Sequence, residues 1–393
     1  MVALRCSSIL PVRTSEVRHI VAGMKKQKII VTELSPTKGH LALVKAISMV
    51  LSKNDYFDVD VVSPAHTRLM VNGCDCQEMP FDYPKEPWVK NPYLNVLFLI
   101  FYELRIIKYI SGLAKRNKDA ALFVVTYNEI SLALGKILLS RFKKVFIVHN
   151  NNIDNILLSK HRKILFNSFA NNFYHIVLAD FIKKPLVEKL EVNKEKILTL
   201  PHPFLPFTQI ETKQRNIHCL GISNGIDEKL IQDLINDEKK TGTLKNTGLR
   251  VVLKSARSTY DDGFLTVFNG YISRELYDDY FNRSRTFLLP FPLNYKYRMS
   301  GTLVDAFSHN IPVIATPIEL IKQVSKAYPK QVIALNTDSF INDLKQYLLD
   351  NNELLSLDKF TKIHSVESLS ETFAEDLRLL FEGKRVIERE YDF

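Results

Sequence analysis

The sequence predicts an α/β protein of two Rossmann-like domains with parallel sheets, facing each other across a cleft. Three observations predict it. From residue 24 onward, short β-rich runs alternate with longer helical periods. That rhythm stops at Pro201-His202-Pro203-Phe204-Leu205-Pro206, a rigid proline-rich hinge, and then restarts. A chain of 393 residues with 46% hydrophobic and 24% charged side chains also has enough apolar material for two cores.

Strands are expected in the first half at residues 28–32, 58–62, 121–125, 144–148, 175–179 and 196–200. Helical periods separate most of them, at 41–51, 94–114, 130–139 and 181–190. The second half repeats the pattern with strands at 217–221, 250–253, 265–268, 286–289, 312–315 and 331–334, and closes on an amphipathic helix at about 366–381. The expected domains are 24–205 and 206–372, with 373–393 as a C-terminal helix returning to the first. Residues 1–23 carry Arg5, Arg13 and Arg18 against Glu16 and lack the apolar core of a signal peptide. They are expected to be a leader outside the folded protein, disordered or not native, because Met24-Lys25-Lys26 directly precedes the first clean strand.

With 53 Lys and Arg against 43 Asp and Glu, the net charge of +10 suits an anionic partner. No RNP-like or zinc-finger pattern occurs, so nucleic acid is not the expected one. The four cysteines Cys6, Cys74, Cys76 and Cys219 are too scattered for a disulfide framework. Cys74 and Cys76 form a C-x-C without a second pair to complete a zinc site, and read as reduced cytosolic thiols in a loop. Asp58-Val59-Asp60 is a D-x-D, but on an alternating strand both acids share one face, and no metal site is expected there.

The run at 95–107 is very apolar yet interrupted by Glu103 and Arg105, too short and too charged to span a bilayer. Lys108, Lys115, Arg116 and Lys118 follow it. Two readings stay open: a buried helix, or a helix lying on an anionic membrane surface.

The most informative stretch is 280–318. An apolar strand ends at Pro290, a loop carries Lys296 and Arg298, and Ser300-Gly301-Thr302 opens a helix. Ser300 suits an N-cap and Gly301 permits close backbone approach. The helix N-terminus offers N–H groups and a positive dipole end to a diphosphate, and Arg298 offers charge-assisted hydrogen bonds. An ordinary capped helix in a β-α-β unit has the same local pattern.

Y-x-x-x-F-x-R-S-R-T-F-L-L-P, beginning at Tyr277, and then S-G-T-L-V-D-A-F-x-H-N-I-P-V-I-A-T resemble the donor-binding half of GT-B glycosyltransferases. Asn269-Gly270-Tyr271-Ile272, followed by Glu275-Leu276 and Tyr280, is similar to that family's turn at the nucleotide base. Residues 178–204 resemble the end of its first domain. The matches cover most of 24–385, in the right order along the chain.

The resemblance implies roles residue by residue. Gly39 and His40 would close the turn after the first strand, near acceptor and donor sugar. His149 would face the donor sugar, to hydrogen-bond it or act as base, and its strand-end position favours this over a helix-capping or core histidine. Lys254 and Arg257 would supply cations to the diphosphate, with Ser223, Gly270, Tyr271, Arg298, Ser300, Gly301 and Thr302 as further donor contacts. Asp305 stands where the second acid of E-x7-E belongs. Eight residues earlier is Tyr297, so the first acid is missing and stereochemistry is not readable. The activity implied is transfer of a sugar from a nucleoside-diphosphate sugar to a glycan or lipid-linked acceptor. No metal or other cofactor is implied. The expected place is the cytoplasm, with a peripheral position on the inner face of the cell membrane as a further expectation.

Gly221-Ile222-Ser223-Asn224-Gly225 fits G-x-S-x-G between a strand and a helix, so an α/β-hydrolase-type esterase using Ser223 is the rival from another class. His309 and His364 would be its candidate histidines, although no HGGG-type oxyanion loop precedes the serine. A nucleotide-sugar epimerase or a non-catalytic GT-B partner subunit would share the fold. The epimerase requires additional acids in the cleft, and the sequence does not identify them. Neither G-x-G-x-x-G nor G-x-x-x-x-G-K-(S/T) occurs.

Overall fold

The structure, a computed structural model, describes residues 26–35, 40–64, 71–81, 91–205, 215–223, 225–270, 272–350 and 358–384, with 386, 389 and 391. Gly39 and Tyr271, the leader 1–23 and Cys6 lie outside the described residues.

The first half builds a seven-stranded, wholly parallel sheet in the order β3-β2-β1-β4-β5-β6-β7. Its strands are β1 (Gln27–Thr32), β2 (Phe57–Pro64), β3 (Asp75–Met79), β4 (Ala121–Val124), β5 (Lys144–His149), β6 (Tyr174–Val177) and β7 (Ile197–Thr199). The central strands read as continuous apolar runs because helices cover both faces: Ile29, Val31, Phe123 and Phe146 have no exposed surface. The crossover helices are α1 (Leu41–Ser52), α2 (Pro92–Arg116), α3 (Glu129–Leu139), α4 (Asn152–Leu158), α5 (Lys160–Ala170) and α6 (Lys183–Leu190). Asn128 and Ser159 start α3 and α5 by accepting the N–H groups of Ile130 and Arg162.

The second half forms another seven-stranded sheet in the order β10-β11-β9-β8-β12-β13-β14, parallel except for the short β10–β11 pair. Its strands are β8 (Ile217–Gly221), β9 (Val251–Ser255), β10 (Tyr260–Asp261), β11 (Leu265–Asn269), β12 (Ser284–Leu289), β13 (Val313–Ala315) and β14 (Val332–Ala334). The helices are α7 (Glu228–Thr241), α8 (Thr243–Thr247), α9 (Arg274–Asn282), α10 (Gly301–Ser308), α11 (Glu319–Ala327), α12 (Phe340–Leu349), α13 (Asp358–His364) and α14 (Val366–Phe381).

The last helix lies against the first sheet's side of the molecule. Lys53, just after α1, pairs with Glu367 (2.5 Å), and the Phe381 ring meets Phe57 and Phe146, each with centroids 6.0 Å apart. The hinge is pinned at both ends: His202 N–H donates to Leu178 O (3.2 Å) and Phe204 N–H to His364 O (3.3 Å), with Phe204 stacked on Phe360.

Two strands escape the sequence reading. β3 is an edge strand with four of its five residues exposed, so it lacks the apolar run that marks the others, and β10 is two residues long. Cys76 therefore belongs to a strand and not to a loop, with Cys74 just before it; burial pushes the Cys74 thiol up to about 11.

Candidate functional site

In a parallel sheet, ligands bind beyond the carboxyl ends of the strands, where neighbouring crossovers run in opposite directions. In the first sheet that point is between β1 and β4. A cavity of about 160 Å³ opens there, lined by Ser35, His40, Thr126, Tyr127, Asn150 and Asn152 among others. His40 enters α1, and its Nδ1 is 2.9 Å from the Asn150 amide nitrogen. Burial lowers the His40 pKa, so the ring is neutral at pH 7.

His149 does not itself line this cavity. Val148 and Asn150 line the cavity, whereas His149 has no exposed surface and stands behind two of its lining residues, Tyr127 and Asn152. There its Nδ1 meets Tyr127 Oη (3.1 Å) and its Nε2 meets His175 Nδ1 (2.8 Å). His175 Nε2 faces the Ala170 carbonyl at 2.9 Å and must donate to it. With both rings neutral, His149 then donates from Nε2 and its Nδ1 accepts the Tyr127 hydroxyl proton, with Asn152 Oδ1 also 3.2 Å from that nitrogen. Asn152 Nδ2 in turn donates to the Tyr127 oxygen. Desolvation holds His149 well below the usual histidine range and brings His175 down to about 4.

Two buried acids stand behind the cavity, and sequence reasoning did not single them out. Glu103 of α2 accepts from Ser35 Oγ at 2.6 Å, and burial raises its pKa to about 7. Glu33, directly after β1, is raised to about 8 for the same reason. Thr126 lies near enough to Glu33 to lower it slightly, but its hydroxyl donates to Ser35 O (2.9 Å), and neither Glu33 oxygen makes a hydrogen bond among the described residues. A lone acid inside the apolar run 95–107 was the only available signal for Glu103.

In the second sheet the reversal falls between β8 and β12. Ser223 follows β8 and is buried, while Ser300 and α10 follow β12. Asp227 N–H donates to Pro290 O (2.6 Å), tying the two turns together. Gly225 holds φ at +75°, a conformation that favours glycine, and a β-carbon there would lie 2.7 Å from Tyr295 Oη and push that side chain aside. Ser300 Oγ accepts from Leu303 N–H (3.2 Å) and starts α10, leaving the Gly301 and Thr302 N–H groups in the first turn, ahead of any intrahelical acceptor. Lys254 and Arg257 stand at the end of β9, and Gly270 follows β11 with φ +105°. Arg257 is exposed, and desolvation lowers the pKa of the half-buried Lys254.

The two edges meet. A β-carbon on the exposed Gly301 would lie 3.9 Å from His202 Nε2, and burial lowers the His202 pKa to about 4. His202 donates from Nδ1 to its neighbour Pro203 O (2.9 Å), so in the neutral ring Nε2 is an acceptor beside the α10 N-terminus. Met299 N–H donates to Asn150 O at 3.0 Å.

Arg298 does not point at a bare anion site. Its Nε pairs with Asp154 Oδ2 (3.1 Å), and the same carboxylate accepts Lys296 N–H and Tyr297 N–H (3.0 Å), docking the 291–299 loop on α4. Asp305 accepts the Tyr277 hydroxyl (2.9 Å), joining α10 to α9.

A nucleophile elbow strains its serine backbone. Among the described residues the non-glycine positive φ angles are at Glu191 and Asn310, not at Ser223. His309 donates into its own helix at Asp305 O (2.6 Å), and His364 is buried against Phe360. The esterase triad is therefore not assembled. Asp58 and Asp60 both pair with Lys28, at 2.9 and 2.7 Å. Among the described residues no group of three or more His, Cys, Asp or Glu is arranged to hold a metal.

No protein-family model matches this chain, and no curated protein sequence matches it. Solved structures do. A putative UDP-N-acetylglucosamine 2-epimerase from Listeria monocytogenes is similar at TM-score 0.58 and 11% identity, covering 94% of this chain and 100% of that one. Anabaena HepE, in complex with UDP and glucose, is similar at TM-score 0.56 and 10% identity, covering 90% and 99%. Phytolacca americana UGT2, complexed with UDP-2fluoro-glucose and pterostilbene, is similar at TM-score 0.52 and 11% identity, covering 92% and 99%. At such identities the likeness shows the fold, and the fold is GT-B.

Proposed function

We propose that the chain is a glycosyltransferase that binds a nucleoside-diphosphate sugar at the α10 N-terminus and passes the sugar to an acceptor hydroxyl in the β1/β4 cavity. The observation that carries this is the meeting of the two carboxyl edges: Met299 N–H, next to the α10 N-terminus, donates to Asn150 O, and the Asn150 amide reaches His40 in the cavity. Neighbours whose structures hold UDP with a sugar support UDP as the first nucleotide to try. The Gly301 and Thr302 N–H groups and the α10 dipole would receive the diphosphate, with Lys254 and Arg257 adding positive charge from the β9 edge. The bond between the anomeric carbon and the diphosphate oxygen breaks, its electron pair leaving with the nucleotide. The acceptor oxygen forms the new bond, and its proton passes to the departing diphosphate or to water. Charge stabilisation by these groups needs no metal. Arg298 and Asp305 act in this reading as supports, through Asp154 and Tyr277.

Thermal unfolding against UDP, GDP, dTDP, CMP, NAD and ATP tests this. A nucleotide at about a hundred times its dissociation constant should stabilise the protein by roughly 2.7 kcal/mol. Gly301→Val should abolish that gain while changing the ligand-free stability by no more than about 0.5 kcal/mol, because Gly301 is exposed with an ordinary φ. No stabilisation by any nucleotide would sink the proposal.

A second reading, conversion of the free nucleotide-sugar, is favoured by Glu33 and Glu103. Burial raises these carboxyl groups to about 8 and 7, and Glu103 reaches the cavity through Ser35, so acids of the kind that conversion requires stand close to it. Incubating the bound nucleotide-sugar without acceptor and following its sugar by NMR separates the two readings: a changed sugar supports conversion, an unchanged one supports transfer.

A further inference from the structure

The N-terminal half of α2 is apolar and uncovered. Leu94, Leu97 and Phe101 are 43%, 61% and 62% exposed, and their spacing puts them on one stripe of the helix. Val96 and Leu99, off that stripe, are 44% and 36% exposed, so this end stands clear of the core on more than one side. The stripe continues into Arg105, Lys108 and Lys115, all exposed. Exposed apolar side chains recur on the neighbouring helices, at Leu134 and Ile137 of α3 and Ile164 of α5.

The charge around this layer is one-sided. Residues 91–170 contain twelve Lys and Arg against four acids, Glu103, Asp119, Glu129 and Asp154, and only Asp119 is exposed. Most of the chain's net charge of +10 therefore lies in this stretch. A second copy of the chain on the same face would set cation against cation. No described helix is long and apolar enough to cross a membrane, so the apolar end can only enter a surface, not traverse it.

We propose that α2 docks the protein on an anionic lipid bilayer. Leu94, Leu97 and Phe101 enter the headgroup–acyl boundary, and Arg105, Lys108 and Lys115 meet the phosphates. The chain leaves β3 at the carboxyl edge of the sheet, so the apolar end of α2 sits on the edge that carries the cavity. Glu103, hydrogen-bonded to the cavity residue Ser35, is six residues from Leu97, about 9 Å of helix rise. For an acceptor carried on a lipid, a point that rests on the transferase reading, this brings the cavity to the bilayer surface.

The test is flotation of the whole chain with phosphatidylcholine vesicles, with and without phosphatidylglycerol. Binding is expected only to the anionic vesicles, weakening as salt rises. A Leu97→Glu/Phe101→Glu variant should bind roughly a hundredfold more weakly. Both positions are exposed, so thermal unfolding and the nucleotide response should match wild type, which separates failure of docking from failure of the transferase reading. Equal flotation of variant and wild type would overturn the proposal. So would absence of vesicle binding together with a dimer, seen in sedimentation, that the double variant abolishes.

Discussion

Asp154→Ala is expected to destabilise the protein by roughly 3–5 kcal/mol, the cost of removing one partner of a buried charge pair. The Asp154 side chain is 6% exposed and that of Arg298 16%, so water replaces the lost carboxylate poorly. Two backbone donors, Lys296 N–H and Tyr297 N–H, lose their acceptor at the same time. The loss falls on the contact between the two halves, because α4 belongs to the first sheet and the 291–299 loop to the second. Urea unfolding measures the energy, and hydrogen exchange at Tyr297 reports whether the loop has come loose. Asp154→Asn keeps one acceptor oxygen and should recover part of the loss. An alanine variant within about 1 kcal/mol of wild type, with Tyr297 still protected, would show that the loop is held by something else.

Stability should peak near neutral pH and fall on both sides, more steeply on the acid side. His149, His175, His202 and His364 are buried with lowered pKa values, about 4 for His175 and His202 and about 3 for His364. Their contribution is complete above the unfolded value of about 6.5 and is lost as pH falls toward the folded values, because the unfolded chain binds protons that the folded one refuses. Glu33 and Glu103 act in the opposite sense. Raised to about 8 and 7, they favour the folded state at low pH and lose that contribution as pH rises from the unfolded value toward those figures. Glu129, also raised by burial, joins them. Near pH ~5.5 the histidines outnumber the acids by one to two protons, a loss of about 1.4–2.7 kcal/mol per pH unit of acidification. Between about pH 7 and 8 Glu33 alone gives a shallower decline, up to about 1.4 kcal/mol per unit. Urea unfolding across pH measures both limbs, and Glu33→Gln should flatten the alkaline one. Constant stability from pH ~5 to ~7 would mean that these groups titrate alike in the folded and unfolded chain.

Parts of the site were legible without coordinates. Ser300-Gly301-Thr302 could be read because helix starts have a local chemistry: a hydroxyl cap, a small residue and free first-turn N–H groups all lie within three positions. Being at a strand end does not say how deeply a side chain is set: Asn150 lines the cavity, and His149 lies fully buried behind Tyr127 and Asn152. Arg298 looked like a ligand for phosphate because a cation in a loop has no visible partner in sequence. Its partner, Asp154, is 144 residues away.

The sequence by itself determined the α/β class, the parallel sheets and the existence of two sheets about a proline hinge. Those follow from local periodicity: buried parallel strands must be apolar throughout, and the helices that cover them must be amphipathic. Only the tertiary structure decided which charges are paired, which histidines are buried, and that His40, Asn150 and Met299 are joined across the two halves. Such pairings join residues far apart in the chain, and burial depends on what packs over a group, so neither leaves a mark on the neighbouring residues in sequence.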